Sequence, residues 1–232
     1  TEIVMENGEI FTADQIISTC GVVETEELLN PKKVCSAKTE EGKFSVIETI
    51  SVFNGKPKDF GWDETIVFFN DSEKFRYEQP KGTIDLSSGV ICLPENYQDP
   101  QNKEKTEARL RITNPANFTK WATLDEPEYL EEKTKCEAQM LDKALSYLPN
   151  DTEQKDAFLD ATVLTDTFTP RTIKKYTNHA NGALYGSPIK SRTGSTNLKN
   201  LYLAGTDQGY IGIVGAMLGG IAVANNRILR SA

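Results

Sequence analysis

The chain has 232 residues, 38% of them hydrophobic, with 26 basic against 34 acidic side chains and a formal net charge of −8. That length makes one or two domains and buries a sizeable core, while the acidic balance argues against a nucleic-acid partner, which needs a basic patch. The four cysteines, Cys20, Cys35, Cys92 and Cys136, form no close pair and no Cys-x-x-Cys, so neither a zinc site nor a disulfide scaffold is read, no other metal cluster is found, and a reducing compartment is expected.

The first residues read as a strand, and Asn7-Gly8-Glu9 as a hairpin turn. Phe44 to Phe53 is apolar and β-branched, a strand that Asn54-Gly55 turns. Thr65 to Phe69 is another, closed by Asn70-Asp71, with Lys74 to Glu78 as an outer strand beside it. Gly89 to Leu93 is a short buried strand stopped by Pro94, and Ala108 to Thr113 alternates Leu110 and Ile112 against Arg109 and Arg111, a half-exposed strand. Runs this close, with turn signals between them, predict an antiparallel sheet. Asp125-Glu126-Pro127-Glu128 then starts a helix with a capping carboxylate, an early proline and an acidic first turn. It runs to about Leu148 and stops at Pro149-Asn150, with Tyr129, Leu130, Cys136, Met140, Ala144, Leu145 and Leu148 towards the sheet. Asp151 to Leu159 starts a shorter helix, and Ala161 to Phe168 returns as a strand. Phe53, Phe60, Trp62, Phe68, Phe69 and Trp121 either line an apolar pocket suited to a long hydrophobic substrate or simply form core.

The C-terminal run is the most informative. Leu201-Tyr202-Leu203-Ala204 has the length and edges of a buried strand, Gly205-Thr206-Asp207 ends it, and a helix opens near Gly212 or Ile213. A strand, an acidic turn and a glycine-rich helix start form the type of site that holds a dinucleotide. Free N–H groups and the positive dipole end at Gly212–Gly215 favour negative charge, and glycine there admits close approach to the backbone. Asp207 is placed to accept hydrogen bonds from a sugar-like hydroxyl. Gly215, Gly219 and Gly220 thin one side of the helix, and Val214, Met217, Leu218, Ile221 and Ile228 make an apolar stripe at helical spacing. The plainer reading is a buried helix after a buried strand, with Asp207 as a turn residue. The usual Gly-x-Gly-x-x-Gly fingerprint of a first βα turn is absent. Ile211 to Ala224, the longest apolar stretch, is too short and too glycine-rich for a membrane span, and no basic start with an apolar block marks a signal peptide.

Three stretches carry a resemblance: Phe168-Thr169-Pro170-Arg171-Thr172-Ile173, then Tyr176-Thr177-Asn178-His179-Ala180-Asn181-Gly182-Ala183-Leu184-Tyr185-Gly186-Ser187-Pro188, then Asn200 to Gln208 with Gly212-Ile213-Val214-Gly215-Ala216. They resemble the C-terminal end of the phytoene desaturase, carotenoid isomerase and retinol saturase family of flavoproteins. Ala13 to Gly21 resembles the strand by which that family leaves its flavin domain for its substrate domain. The resemblance implies an α+β fold: an antiparallel substrate-domain sheet packed with helices, plus the C-terminal strand and helix of an FAD-binding Rossmann-like α/β domain. Residues 1–43 and 161–232 then belong to the FAD-binding domain and 44–160 to the substrate-binding domain.

It further implies an FAD-dependent oxidoreductase, a desaturase, saturase or isomerase, acting on a polyene or other hydrophobic substrate. Gly205, Thr206, Asp207, Gln208, Gly212, Ile213, Val214, Gly215 and Ala216 are the expected cofactor contacts. His179, the only histidine, with Asn181 and Tyr185, is the expected substrate pocket, although a lone histidine is more often structural. The chain is expected to be the C-terminal part of a longer flavoprotein, inactive alone because the opening half of the FAD site lies elsewhere, and to be cytoplasmic or peripheral at a membrane rather than secreted. The alternatives are a hydrophobic-ligand module without redox activity, a subunit completed by a second chain that supplies the N-terminal half, and a flavoprotein of the amine oxidase type.

Overall fold

The computed structural model describes residues 2–29, 40–97, 106–149 and 152–230; Cys35, the helix stop Asn150 and the helix start Asp151 lie outside them. The fold is α+β, and the chain divides into two units, Thr1–Gly42 with Asn178–Ala232, and Lys43–Thr177. The first unit opens with β1 (Glu2–Val4), β2 (Ile10–Thr12), β3 (Ile16–Ser18) and α1 (Val22–Leu29). The second holds β4 (Ser45–Asn54), β5 (Ile66–Asn70), β6 (Ser88–Cys92), β7 (Glu107–Ala116), α2 (Phe118–Ala122), α3 (Glu126–Leu145), α4 (Thr152–Ala161), β8 (Thr162–Phe168) and α5 (Pro170–Thr177). The chain then returns to the first unit with β9 (Leu201–Leu203) and α6 (Gly212–Val223).

In the second unit five strands pair antiparallel in the order β5-β6-β7-β4-β8. The period of two is visible in β4, where Ser45, Ile47, Thr49, Ser51 and Phe53 are buried and their neighbours are not. Register puts Thr49 opposite Ile112 and Thr167, so Ile47, Phe53, Leu110 and Ile112 share one face. Cys136, Met140, Ala144 and Leu145 of α3 join them in the core. Phe53, Trp62 and Phe158 close one end, with ring centroids 4.9 to 6.0 Å apart. Trp62 and Trp121 are fully buried, and their indole N–H groups donate to the carbonyls of Pro149 and Thr83, each at 3.0 Å. Five of the six aromatics singled out in the sequence are therefore core; Phe68 is 73% exposed on the opposite face.

The start of α3 is as expected. Asp125 accepts from the Glu128 amide at 2.9 Å, and the Glu128 carboxylate accepts from the Asp125 amide at 3.1 Å. The helix ends at Leu145, earlier than expected, because Ser146–Leu148 tighten into a turn. Two readings are corrected. Lys74 to Glu78 forms no strand; Tyr77 instead stacks its ring on Phe44 at 4.1 Å, so side-chain packing replaces a ladder. Ala161 to Phe168 supplies β8, but β8 pairs with β4 as an edge of the five-stranded sheet. The boundary expected at 160/161 accordingly falls at 177/178. Helices α1, α2 and α5 are further elements that the local pattern did not announce.

One acidic group in this unit sets a pH dependence. Burial works against the Glu132 carboxylate, but hydrogen bonds from Thr83 at 2.5 Å and Lys135 at 2.9 Å hold it below its ordinary range. Burial, with Glu132 beside it, pushes the Cys136 thiol up to about 11. A depressed carboxyl stabilises above its unfolded value, here 4.5, and that contribution is lost as pH falls through the folded value. Glu132→Gln is expected to flatten the stability profile below pH 4.5, read by urea unfolding across acid pH. In the same assay Phe158→Ala is expected to cost about 3–5 kcal/mol at neutral pH.

Candidate functional site

The first unit is organised by a parallel pair. β3 and β9 run in register, Ile16 opposite Leu201 and Ser18 opposite Leu203, so their carboxyl ends lie side by side. From one end Thr19, Cys20 and Gly21 lead into α1; from the other Ala204 and Gly205 lead through a 3₁₀ turn, Thr206–Gln208, towards α6. The carboxyl ends of parallel strands are where α/β sheets place ligands. A cavity of about 360 Å³ opens there. Thr19 and Gly21 line it from the β3 side, Gly205, Thr206 and Asp207 from the β9 side, and Ala216 and Gly220 from α6, with His179 at its wall.

The structure thus brings together five of the residues singled out in the sequence: His179, Gly205, Thr206, Asp207 and Ala216. Gly205 has φ 126° and ψ −155°, a conformation that belongs to glycine, with open space where a Cβ would stand. Gly220 also faces open space. Gln208 lies behind the turn, fully buried, its Oε1 accepting from the Gly205 amide at 3.2 Å. Gly215 packs on the backbone of Tyr210, and Gly219 lets Gln208 approach where a Cβ would stand 2.3 Å away. Gly212, Ile213 and Val214 form the exposed start of α6, whose N-cap Ile211 offers no side-chain acceptor.

Asn181 and Tyr185 do not line the cavity. Asn181 donates to Glu41 at 2.8 Å and to the Gly42 carbonyl at 3.2 Å, and takes φ 55° in a turn. Glu24 of α1 accepts from the Ala180 amide at 2.8 Å and so fixes the turn beside His179. Thr19, Gly21 and Gly220 are cavity residues that sequence reasoning missed; the signal for the first two was a glycine directly after a short strand.

Asp207 is 4% exposed. Its Oδ2 accepts from the Val22 amide at 2.6 Å, and its Oδ1 accepts from the Ser187 amide at 2.8 Å and the Lys190 ammonium at 3.4 Å. The sequence reading offered this carboxylate to a ligand hydroxyl; in the structure three internal donors engage it. The apolar stripe of α6 is also corrected. Val214, Met217, Leu218 and Ile221 are 53 to 70% exposed, because the helix packs through Gly215, Gly219 and Val223 instead.

A second, more apolar cavity of about 590 Å³ lies between β1, β3 and α1, lined by Ile3, Ile16, Ile17 and Leu28 among others. Among the described residues no group of three or more His, Cys, Asp or Glu is arranged to hold a metal ion, and no helix is long and apolar enough to cross a membrane. No protein-family model matches the chain, and no curated protein matches it either.

Two glycines at the cavity separate conformation from space. Gly205→Ala is expected to destabilise by about 1–3 kcal/mol, since its φ and ψ exclude other residues. Gly220→Ala, helical with open space at its Cβ, is expected to stabilise by up to about 1 kcal/mol. Chemical denaturation of the two variants checks the contrast.

Proposed function

We propose that this chain supplies the closing part of an FAD site in an oxidoreductase of the phytoene desaturase, carotenoid isomerase and retinol saturase type, acting on a polyene or other hydrophobic substrate. The observation that carries the reading is the cleft at the carboxyl ends of β3 and β9, with Ala216 and Gly220 of α6 on its wall. Of the site residues that the resemblance implies, His179, Gly205, Thr206, Asp207 and Ala216 line that cleft, and the others do not.

The residues present fit part of the cofactor. A cavity of about 360 Å³ is at the small end of ligand sites and takes one portion of a dinucleotide. Gly205 and Gly220, with open space at their Cβ positions, admit a flat or sugar-like group against the backbone. Thr19 and Thr206 offer hydroxyls to the ribityl portion. The first amides of α6, Gly212 to Gly215, favour negative charge near them. FAD, when bound, supplies the redox chemistry; the protein orients it and excludes water. The sheet face opposite the core carries Phe68, Val90, Thr113, Glu48 and Phe168 along one row, with exposed Phe68 and Phe168 at its two ends as apolar contacts for a substrate. This reading goes with a place in the cytoplasm or at a membrane surface.

A second reading shares the site: another polypeptide completes it, and this chain alone has no redox activity. The exposed apolar arc of α6, Ile213, Val214, Met217, Leu218 and Ile221, favours it.

Titration of the purified chain with FAD, followed by flavin absorption and fluorescence, tests the proposal. The expected result is weak, saturable binding that does not survive gel filtration and is lost in Gly220→Leu, whose side chain fills the cleft. No spectral change at high FAD, or one that Gly220→Leu leaves intact, overturns the assignment of this cleft to the flavin.

A further inference from the structure

We propose that the Val22 and Ser187 amides and the Lys190 ammonium form an anion nest whose resident anion is Asp207, and that Asp207 is a positioning residue holding the cleft walls rather than a ligand contact. The inference stands apart from the flavin reading, because it concerns only groups of the chain itself.

The donors converge on one carboxylate from three directions. Val22 is the first residue of α1, so its amide is one of the N–H groups that a helix start leaves unpaired, at the positive end of the dipole. Ser187 follows Gly186, which takes φ 65°, so its amide points at the same group. Lys190 donates to the Tyr185 carbonyl at 2.5 Å as well as to Asp207 at 3.4 Å, which pins its ammonium over the nest.

A glycine makes room for the carboxylate. A Cβ at Gly186 would stand 2.4 Å from the Asp207 Oδ1; at Gly21, where φ is 104°, it would instead meet the Glu24 carboxylate at 2.3 Å. A carboxylate this buried persists only where donors replace water, and here they do. Of the roughly four acceptor positions on a carboxylate, three are filled. The nest ties the start of α1 and the 185–190 loop to Asp207, in the turn after β9 that lines the cavity. A ligand in that cavity is therefore read by its other groups, and its own negative charge is kept out of the α1 terminus.

Chemical rescue tests this. Asp207→Gly empties the nest without adding bulk, and the melting temperature is expected to fall by about 10 °C. Sodium formate, the size of the missing carboxylate, is expected to restore at least half of that loss and to leave the wild-type midpoint where it was. Sodium chloride at equal ionic strength is expected not to rescue. In Asp207→Asn, where the amide still fills the space, formate is expected to give no gain. Formate and chloride acting alike on Asp207→Gly, or no loss of stability in that variant, overturns the proposal. Should Asp207→Gly fail to fold, hydrogen exchange on the wild-type chain decides: Val22 and Ser187 amides protected as well as the β3–β9 ladder support the nest, and exchange at the rate of open amides refutes it.

Discussion

The constraint on which the site depends is the parallel pairing of Ile16–Ser18 with Leu201–Leu203. Parallel strands cannot be joined by a tight turn and need a crossover; here the crossover contains the entire unit Lys43–Thr177. Each strand is only three residues long, and so short a pair is marginal alone. Its support comes from the segments at the carboxyl end of each strand. Ser18 and Thr25 hydroxyls lie 2.6 Å apart, Thr25 also donates to the Gly21 carbonyl, and the Ala204 amide donates to the Ser18 carbonyl at 2.9 Å. Because both strands end at the same level, Gly21 before α1 and the Gly205–Asp207 turn after β9 line one cavity. A slip in this register would separate Gly21 from Gly205 and dissolve the cleft.

The five-stranded unit answers a different requirement. Its core is closed on one face by α3, and a row of buried hydroxyls on that face is paired: Thr49 and Thr167 hydroxyls at 2.9 Å, with Thr167 donating onward to Glu137 at 2.7 Å. A paired hydroxyl in a core costs little, whereas an unpaired one costs a kilocalorie or more, so the polar row fixes register as well as surviving burial. The other face carries Glu48 and Arg111, 2.6 Å apart, between apolar neighbours from the adjoining strands. That mixture keeps the face soluble while leaving its apolar patches open.

How much was legible in the sequence depends on where each signal is stored. The β4 and β7 alternation and the Asp125–Glu128 box are local, and both were read from neighbouring residues. Helix α1 was missed because nothing near Gly21 caps it; the cap is Asp207, 185 positions along the chain. The Lys74–Glu78 run looks like an outer strand, yet it forms none, and Tyr77 stacks on Phe44 instead. At the site, Gly205 and Thr206 were legible because a strand-to-helix turn needs them, whereas Gly21 and Gly220 were not read as cavity residues. The role of Asp207 was not, since its three donors come from two segments that only the tertiary fold brings near it.

Helix α6 joins these threads. Almost every residue in it is apolar or glycine, so no polar face announces which side meets water. A helix of that composition belongs in a buried position, yet its packing uses the glycine side and leaves five large side chains outward. Small residues inward and large ones outward is the reverse of a surface helix. Covering the outward arc would stabilise by about 1.5–3 kcal/mol per side chain, a large sum against the stability of a small unit. The inward glycines serve the cleft, by letting Gln208 brace the Gly205 turn. One helix therefore shapes the cavity with one side and presents an apolar surface with the other. Any cover on that surface would also stiffen the cavity wall, which ties occupancy of the cleft to whatever packs on α6.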